Sequence, residues 1–265
     1  VKEWGIDGFK LDFIDSFRMT EFSNEYNSEM DTEQLEDAIE KLLSDVLKKL
    51  RDVNPDILIE FRQNYTGPLM QTYGNMLRAS DCPYDALTNR MRTLDLRMMS
   101  GCGVVHSDML MWDKSGSTEN AARQITNVLF SVPQISVKLK DIPAEHMEML
   151  KFYLNFCDKY RDVLLEGSIH IYQPEMLYSM AYAKKEKRAV AVDFSGVVWN
   201  IESGIDEAVY VNAAQKDALY INAENIDGTY DILNCRGKII EKGTLLRNTL
   251  KKFNVPVSGM IIIRR

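Results

Sequence analysis

The chain has 265 residues, 45% hydrophobic and 27% charged, ordinary values for a globular protein with material for one large core or two modest ones. Its formal net charge of −7 at pH 7 speaks against nucleic acid as a partner, because phosphate recognition wants a basic face. No apolar run approaches the ~20 residues that a membrane-spanning helix needs, so no membrane partner is expected.

In chain order, "WGIDGFKLDFID" reads as a strand with Phe9, Leu11 and Phe13 on one face and Gly8, Lys10 and Asp12 on the other. Asp31 can cap a helix whose apolar residues Leu35, Ala38, Ile39, Leu42, Leu43, Val46, Leu47 and Leu50 recur at helical spacing. Asn54-Pro55 ends it, and "DILIEFR" is the next strand. A short strand at "MLRASD" precedes a helix from about Asp85 to Met99. Gly101 and Gly103 break that helix before the strand "GVVHSDMLMW". A helix from Ser117 to Phe130, a strand "QISVKLK" and a helix from Ala144 to Val163 follow.

Five strands interleaved with helices imply a parallel sheet, either doubly wound or a (β/α)8 barrel. No strand is followed by a glycine-rich phosphate loop, which disfavours the nucleotide-binding version, and no cofactor is expected. From about Glu166 the pattern changes to short strands such as "LYSMAYA", "RAVAVDFS", "EAVYVNA" and "GMIIIRR", separated by turns "NIDGTY" and "CRGK". That is a small antiparallel β-domain, read as a sandwich of roughly one hundred residues. Cys82, Cys102, Cys157 and Cys235 are scattered and form no CxxC, so reduced core thiols and a reducing, cytoplasmic compartment are expected.

The same alternation sorts the chemistry. Glu60 and Arg62 share a face opposite Ile57, Ile59 and Phe61, His106 and Asp108 share another, and Lys138 and Lys140 oppose Val137 and Leu139. Four of the five strands thus carry charge opposite an aliphatic face, as they would at the carboxyl-terminal mouth of a barrel. Lys10 lowers the pKa of a neighbouring Asp12, making either a nucleophile or a structural ion pair. Asp81 is either a catalytic acid or a helix N-cap, a task that Asp85 can take. Two facing carboxyls, one ionised and attacking and one protonated, are what a glycosidase uses. Glu60 with Arg62 is a sugar clamp or a lumenal ion pair, and His106 with Asp108 an orienting pair or a satisfied core histidine. Trp4 and Trp112 lie at or near strand ends, where an indole stacks on a sugar or fills the core. His106, His146 and His170 have no metal-ligand spacing, and no nucleophile elbow is present.

These residues carry a resemblance. "GIDGFKLDF" resembles the nucleophile strand of glycoside hydrolase family 36 and its clan, the α-galactosidases, whose fourth barrel strand ends in Lys-x-Asp. "MLRASDCPYD" is similar to the clan's acid/base segment, which ends in Ser-Asp, and "VVHSDMLMW" to the strand after it, where the family often carries a histidine. The resemblance covers nearly the whole chain. It implies a (β/α)8 TIM barrel to which residues 1–165 contribute strands four to eight, about five β/α units, with a C-terminal antiparallel β-sandwich over 166–265. It implies Asp12 as nucleophile, Asp81 as acid/base, Lys10 touching sugar and nucleophile, Arg78 flanking the acid/base, and His106 and Asp108 lining the pocket. The implied reaction is retaining hydrolysis of terminal α-galactosides through a covalent galactosyl-enzyme, with the carboxyls ~5–5.5 Å apart.

The family's fifth strand usually carries a cysteine-containing segment with glycines after it, whereas this place reads "IEFRQNYTG". The sequence starts at Val1 on strand four, so the expectation is the C-terminal portion of an enzyme, inactive alone or paired with another copy as a homo-oligomer. The rivals are an α-glucosidase or α-xylosidase of the related family 31, and a non-catalytic sugar-binding fragment.

Overall fold

Parallel strands that present one apolar face need helices against it, and the first elements pack accordingly. A computed structural model describes residues 1–19, 28–101, 103–224 and 226–265, which form two units, Val1–Ser80 with Leu96–His106, and Asp81–Asp95 with Ser107–Arg265. Cys102 lies outside the described residues, and Cys82, Cys157 and Cys235 are free thiols.

The first unit contains β1 (Gly8–Lys10), α1 (Leu35–Arg51), β2 (Leu58–Arg62), β3 (Met76–Arg78) and the start of β4 (Val104–Leu110). The strands are parallel, with Lys10 opposite Glu60, Arg62 opposite Arg78, and Arg78 opposite His106. Ile57, Ile59, Phe61, Leu77 and Val105 are buried against Leu43 and Leu47 of α1. The register therefore puts Lys10, Glu60, Arg62, Arg78 and His106 on the opposite face. The structure shortens the first strand: its ladder ends at Lys10, and Phe13, at φ 58°, turns the chain into a 3-10 turn over Ile14–Ser16. The alternation fails there, so Phe13 is exposed instead of facing the helices. Gln34, in extended conformation, precedes α1, while the expected cap Asp31 pairs with Lys41 at 3.4 Å.

The helix α2 (Ala86–Met99) and strand β4 pass from one unit into the other. The second unit adds α3 (Thr118–Thr126), β5 (Val132–Ile135), α4 (Ala144–Lys159) and α5 (Arg161–Glu166), and the parallel-sheet order is β1-β2-β3-β4-β5. β5 ends before Lys138 and Lys140, which the sequence places on a strand. The bond from the Asp141 amide to the Lys138 carbonyl, 2.9 Å, and the Lys138–Asp141 ion pair close a 3-10 turn there instead.

Ten strands follow: β6 (Ser168–Tyr172), β7 (Met180–Lys185), β8 (Arg188–Asp193), β9 (Val198–Asn200), β10 (Glu207–Asn212), β11 (Leu219–Ala223), β12 (Gly228–Leu233), β13 (Ile239–Leu245), β14 (Thr249–Phe253) and β15 (Met260–Arg264). They form a seven-stranded sheet, β13-β12-β15-β10-β8-β7-β6, and a three-stranded sheet, β14-β11-β9. The domain is not wholly antiparallel, because β8 pairs with β10, and β9 with β11, in parallel. The chain crosses to the small sheet between β8 and β10, so it re-enters the large sheet from the same end. Ala208 and Tyr210 share a core with Trp199, Leu219, Ile221 and Phe253 of the small sheet. Val209 and Val211, on the other face, pack with Tyr153, Phe156 and Val163 of α4 and α5.

Gly237, in the turn between β12 and β13, has φ +76°, and a Cβ there would lie 2.3 Å from the Phe152 ring of α4. Gly237→Ala is expected to destabilise the protein by about 2–4 kcal/mol, from left-handed strain plus overpacking, read as a lower denaturant midpoint at unchanged slope.

Candidate active site

Asp12 lies two residues past the end of β1 and is built into a cluster of donors. Its Oδ1 accepts from Arg62 Nε, from the Tyr65 hydroxyl at 2.8 Å and from the Phe13 amide at 2.9 Å. Its Oδ2 meets Lys10 Nζ at 3.2 Å. The Arg62 guanidinium lies 5.3 Å from the Phe13 ring centroid and 5.7 Å from that of Tyr65, so two aromatic faces fix it. Arg62 foremost, against a smaller opposing effect of burial, and then Tyr65, Lys10 and the Phe13 amide hold the Asp12 carboxyl well below the usual carboxylate range. Burial, then the bond to Asp12, pushes the Tyr65 hydroxyl up to about 12, so it stays a donor at ordinary pH.

On the same face Glu60 Oε2 meets His106 Nε2, both side chains mostly buried. Arg78 is buried at the end of β3. The Gln63 amide donates to the Arg78 carbonyl at 3.0 Å, and Gln63 Oε1 accepts from the Ser80 amide at 3.1 Å, which shapes the exit from β3. Lys10, Asp12, Glu60, Arg62, Arg78 and His106 thus share the first unit, whereas Asp81, Asp108 and Trp112 belong to the second.

Within the second unit Asp81 is exposed and its carbonyl accepts from Arg92 at 2.9 Å. It does not cap α2. Asp85 does, accepting from the Thr88 amide at 3.0 Å and the Thr88 hydroxyl at 2.6 Å. Asp108 is fully buried; its carboxylate accepts from the Cys82 amide, and Asn89 clamps its backbone from both sides. Asp108 therefore holds the turn just after Asp81. Burial and then the Asp108 charge push the Cys82 thiol up to about 11, which keeps it an un-ionised core thiol. Trp112 is buried in the core with Leu110 and Ala121 and also lines a cleft of about 550 Å³ with Tyr84, Lys114 and Lys138. Trp4 is exposed in an N-terminal turn. Among the described residues, no three His, Cys, Asp or Glu side chains are grouped as a metal site.

Sequence reasoning passed over Tyr65, Gln63 and Asn89. Tyr65 carries one usable signal, a phenol in the loop straight after a charged barrel-type strand. Asn89 carries none, because a polar residue inside a helix reads as surface until its partner strand is known.

Because the folded-state pKa of Asp12 lies below its unfolded value, the cluster stabilises the fold above about pH 4 and that contribution fades as pH falls through the folded value. Arg62→Gln is expected to move the Asp12 carboxyl titration, followed by carbon-13 NMR, up toward about 3.9, the value of an unperturbed aspartate. A titration unmoved by that change would mean that Arg62 does not set the charge.

No family profile matches the sequence, and no curated protein is detectably similar to it. Solved structures are. The chain resembles the glycoside hydrolase family 36 α-galactosidase AgaA of Geobacillus stearothermophilus at TM-score 0.52 and 12% identity, over 89% of this chain and 33% of that one. A variant of AgaA in complex with stachyose gives TM-score 0.52 at 13% identity, over 97% of this chain and 34% of that one. An Anoxybacillus α-amylase follows at TM-score 0.49 and 10% identity, over 85% of this chain and 56% of that one. At such identities the likeness is one of fold, and the chain spans about a third of the length of the α-galactosidases. In fold, the chain is similar to a portion of the family 36 α-galactosidases, the family that its Lys-x-Asp segment resembles.

Proposed function

We propose that this chain carries the catalytic carboxylates of a retaining glycoside hydrolase that removes terminal α-galactosyl groups from oligosaccharides. The observation that carries the reading is the charge state of Asp12, kept ionised by Arg62, Lys10, Tyr65 and a backbone amide just beyond a parallel strand. Its two oxygens are unequal: among the described residues Oδ1 takes three donors, while Oδ2 takes Lys10 alone. Oδ2 is the atom with a lone pair to spare for an anomeric carbon.

In this reading Oδ2 attacks the anomeric carbon as the bond to the leaving oxygen breaks, and Asp81 protonates that oxygen. Water then attacks the glycosyl ester, giving its proton to Asp81 and freeing Asp12. Lys10 and Arg62 offset the charge that returns to Asp12 in the second step. Likeness in fold to AgaA, which was solved with stachyose, supports an oligosaccharide substrate. The barrel and sandwich readings of 1–165 and 166–265, and pocket roles for Glu60, Arg78, His106, Asp108 and Trp112, belong to the same proposal.

In the intact protein, aryl α-galactoside is expected to turn over and aryl α-glucoside not; the reverse preference would favour the family 31 reading. Asp12→Ala is expected to abolish turnover, and azide to restore part of it as a glycosyl azide of inverted configuration. Normal turnover by that variant would end the assignment. Asp81→Ala is expected to slow substrates with poor leaving groups by roughly 10²–10⁴-fold while largely sparing dinitrophenyl galactoside. Equal losses on both would remove Asp81 from the acid role.

A further inference from the structure

The second unit holds a cleft of about 480 Å³ that none of the candidate site residues lines. Its charged side chains are Arg90 on α2, Arg123 on α3 and Lys216 on the loop after β10, and no carboxylate is among its lining. Among the described residues no carboxylate forms an ion pair with any of the three. Two other arginines of this unit do have carboxylate partners: Arg188 pairs with Asp162, and Arg264 with Glu207 and Asp231.

Arg90 is the most telling of the three. It is only 9% exposed, lies 4.1 Å over the Phe194 ring, and donates to Asn127 Oδ1 at 3.3 Å and the Leu177 carbonyl at 2.9 Å. Its Nε has no partner among the described residues and is closed off from solvent, which leaves the Nη atoms to meet a ligand. Burial, and then the Arg123 charge, hold its pKa down to about 10. A mostly buried cation beside a second one, with no carboxylate paired to either, is costly unless an anion joins them.

The walls are preformed. Asp193 Oδ1 gathers the amides of Ser195 and Gly196 at 2.9 and 2.7 Å, which fixes one rim loop. Asn212 bonds the Lys216 carbonyl at 2.8 Å and the Ala214 amide at 3.1 Å, which fixes another. Leu177 and Tyr178 are held at φ 56° and 61°, strain that the surrounding bonds sustain. Leu87, Met176 and Leu177 supply exposed apolar surface beside the cations.

We propose that this cleft binds a phosphate monoester, with the phosphate held by Arg90 and Arg123, Lys216 at the rim, and the organic group against Leu87, Leu177 and Phe194. A phosphate monoester carries about −1.5 to −2 charges at pH 7, a better match to three cations than a carboxylate, and its oxygens suit paired guanidinium forks. The cleft is larger than free phosphate needs and falls in the range of small-molecule sites.

Isothermal titration calorimetry of the intact protein with phenyl phosphate at low salt tests this. The expected result is a submillimolar dissociation constant, about tenfold or more tighter than for inorganic phosphate, with affinity falling as salt rises. Arg123→Gln is expected to weaken binding by about tenfold and Lys216→Gln, on an exposed loop where folding is not at risk, by several-fold. No heat from phenyl phosphate at saturating concentration would overturn the proposal. So would unchanged affinity in Lys216→Gln together with a folded Arg123→Gln, which would mark an adventitious ion only. Inorganic phosphate binding as tightly as phenyl phosphate would overturn the organic part of the assignment.

Discussion

One constraint governs the parallel strands: a strand that lays Ile59, Phe61, Leu77 or Val105 against helix α1 must turn its alternate residues to the other face. In this chain those alternates are charged, and they cannot be left apart in a partly desolvated space. They pair with one another instead. Asp12 collects Lys10 and Arg62, and Glu60 meets His106. The cost of bringing charge together is offset by hydrogen bonds, and the by-product is a carboxylate held ionised and still in contact with solvent. A chemically useful group thus arises from the same alternation that builds the core.

The centre of the large β-sheet faces the opposite problem, because both faces of β10 are covered. Ala208 and Tyr210 serve the small sheet while Val209 and Val211 serve the helices, so a run such as "EAVYVN" has no wet side. Polar groups trapped there must be satisfied within the fold. Tyr153 does so by donating to the Ser258 carbonyl, and Asn212 by bonding the backbone of two neighbouring loops. These buried polar contacts specify how loops leave the sheet, which simple hydrophobic burial cannot do.

Much of this was legible in the sequence, because the signals were periodic. The order of strands and helices through Glu166 and the change to short strands follow from spacing alone. What escaped were features set by a single turn or a distant partner. The first strand stops at Lys10 because of a left-handed residue at Phe13, a conformation that a phenylalanine does not announce. The helix expected to run unbroken to Val163 is divided at Tyr160, whose hydroxyl reaches Glu207 at 2.7 Å. The parallel pairing of β8 with β10 depends on where β9 docks, which no local pattern encodes. Tyr65 and Gln63 looked like loop residues because their partners are the carboxylate of Asp12 and the backbone after β3.

The position of β15 has a consequence for how the chain folds. Residues 260–264 alone join two parts of the large sheet, β13-β12 on one side and β10-β8-β7-β6 on the other, yet they follow every other strand of that sheet in sequence. Until they emerge during synthesis, β10 and β12 each present an unpaired edge lined by residues such as Val209 and Ile232. Closure of the sheet is therefore a late, long-range event, slow in the way that non-local pairings are slow. In that interval the nascent chain is most exposed to edge-to-edge association, and the two edges that should meet β15 are the surfaces a chaperone would have to shield.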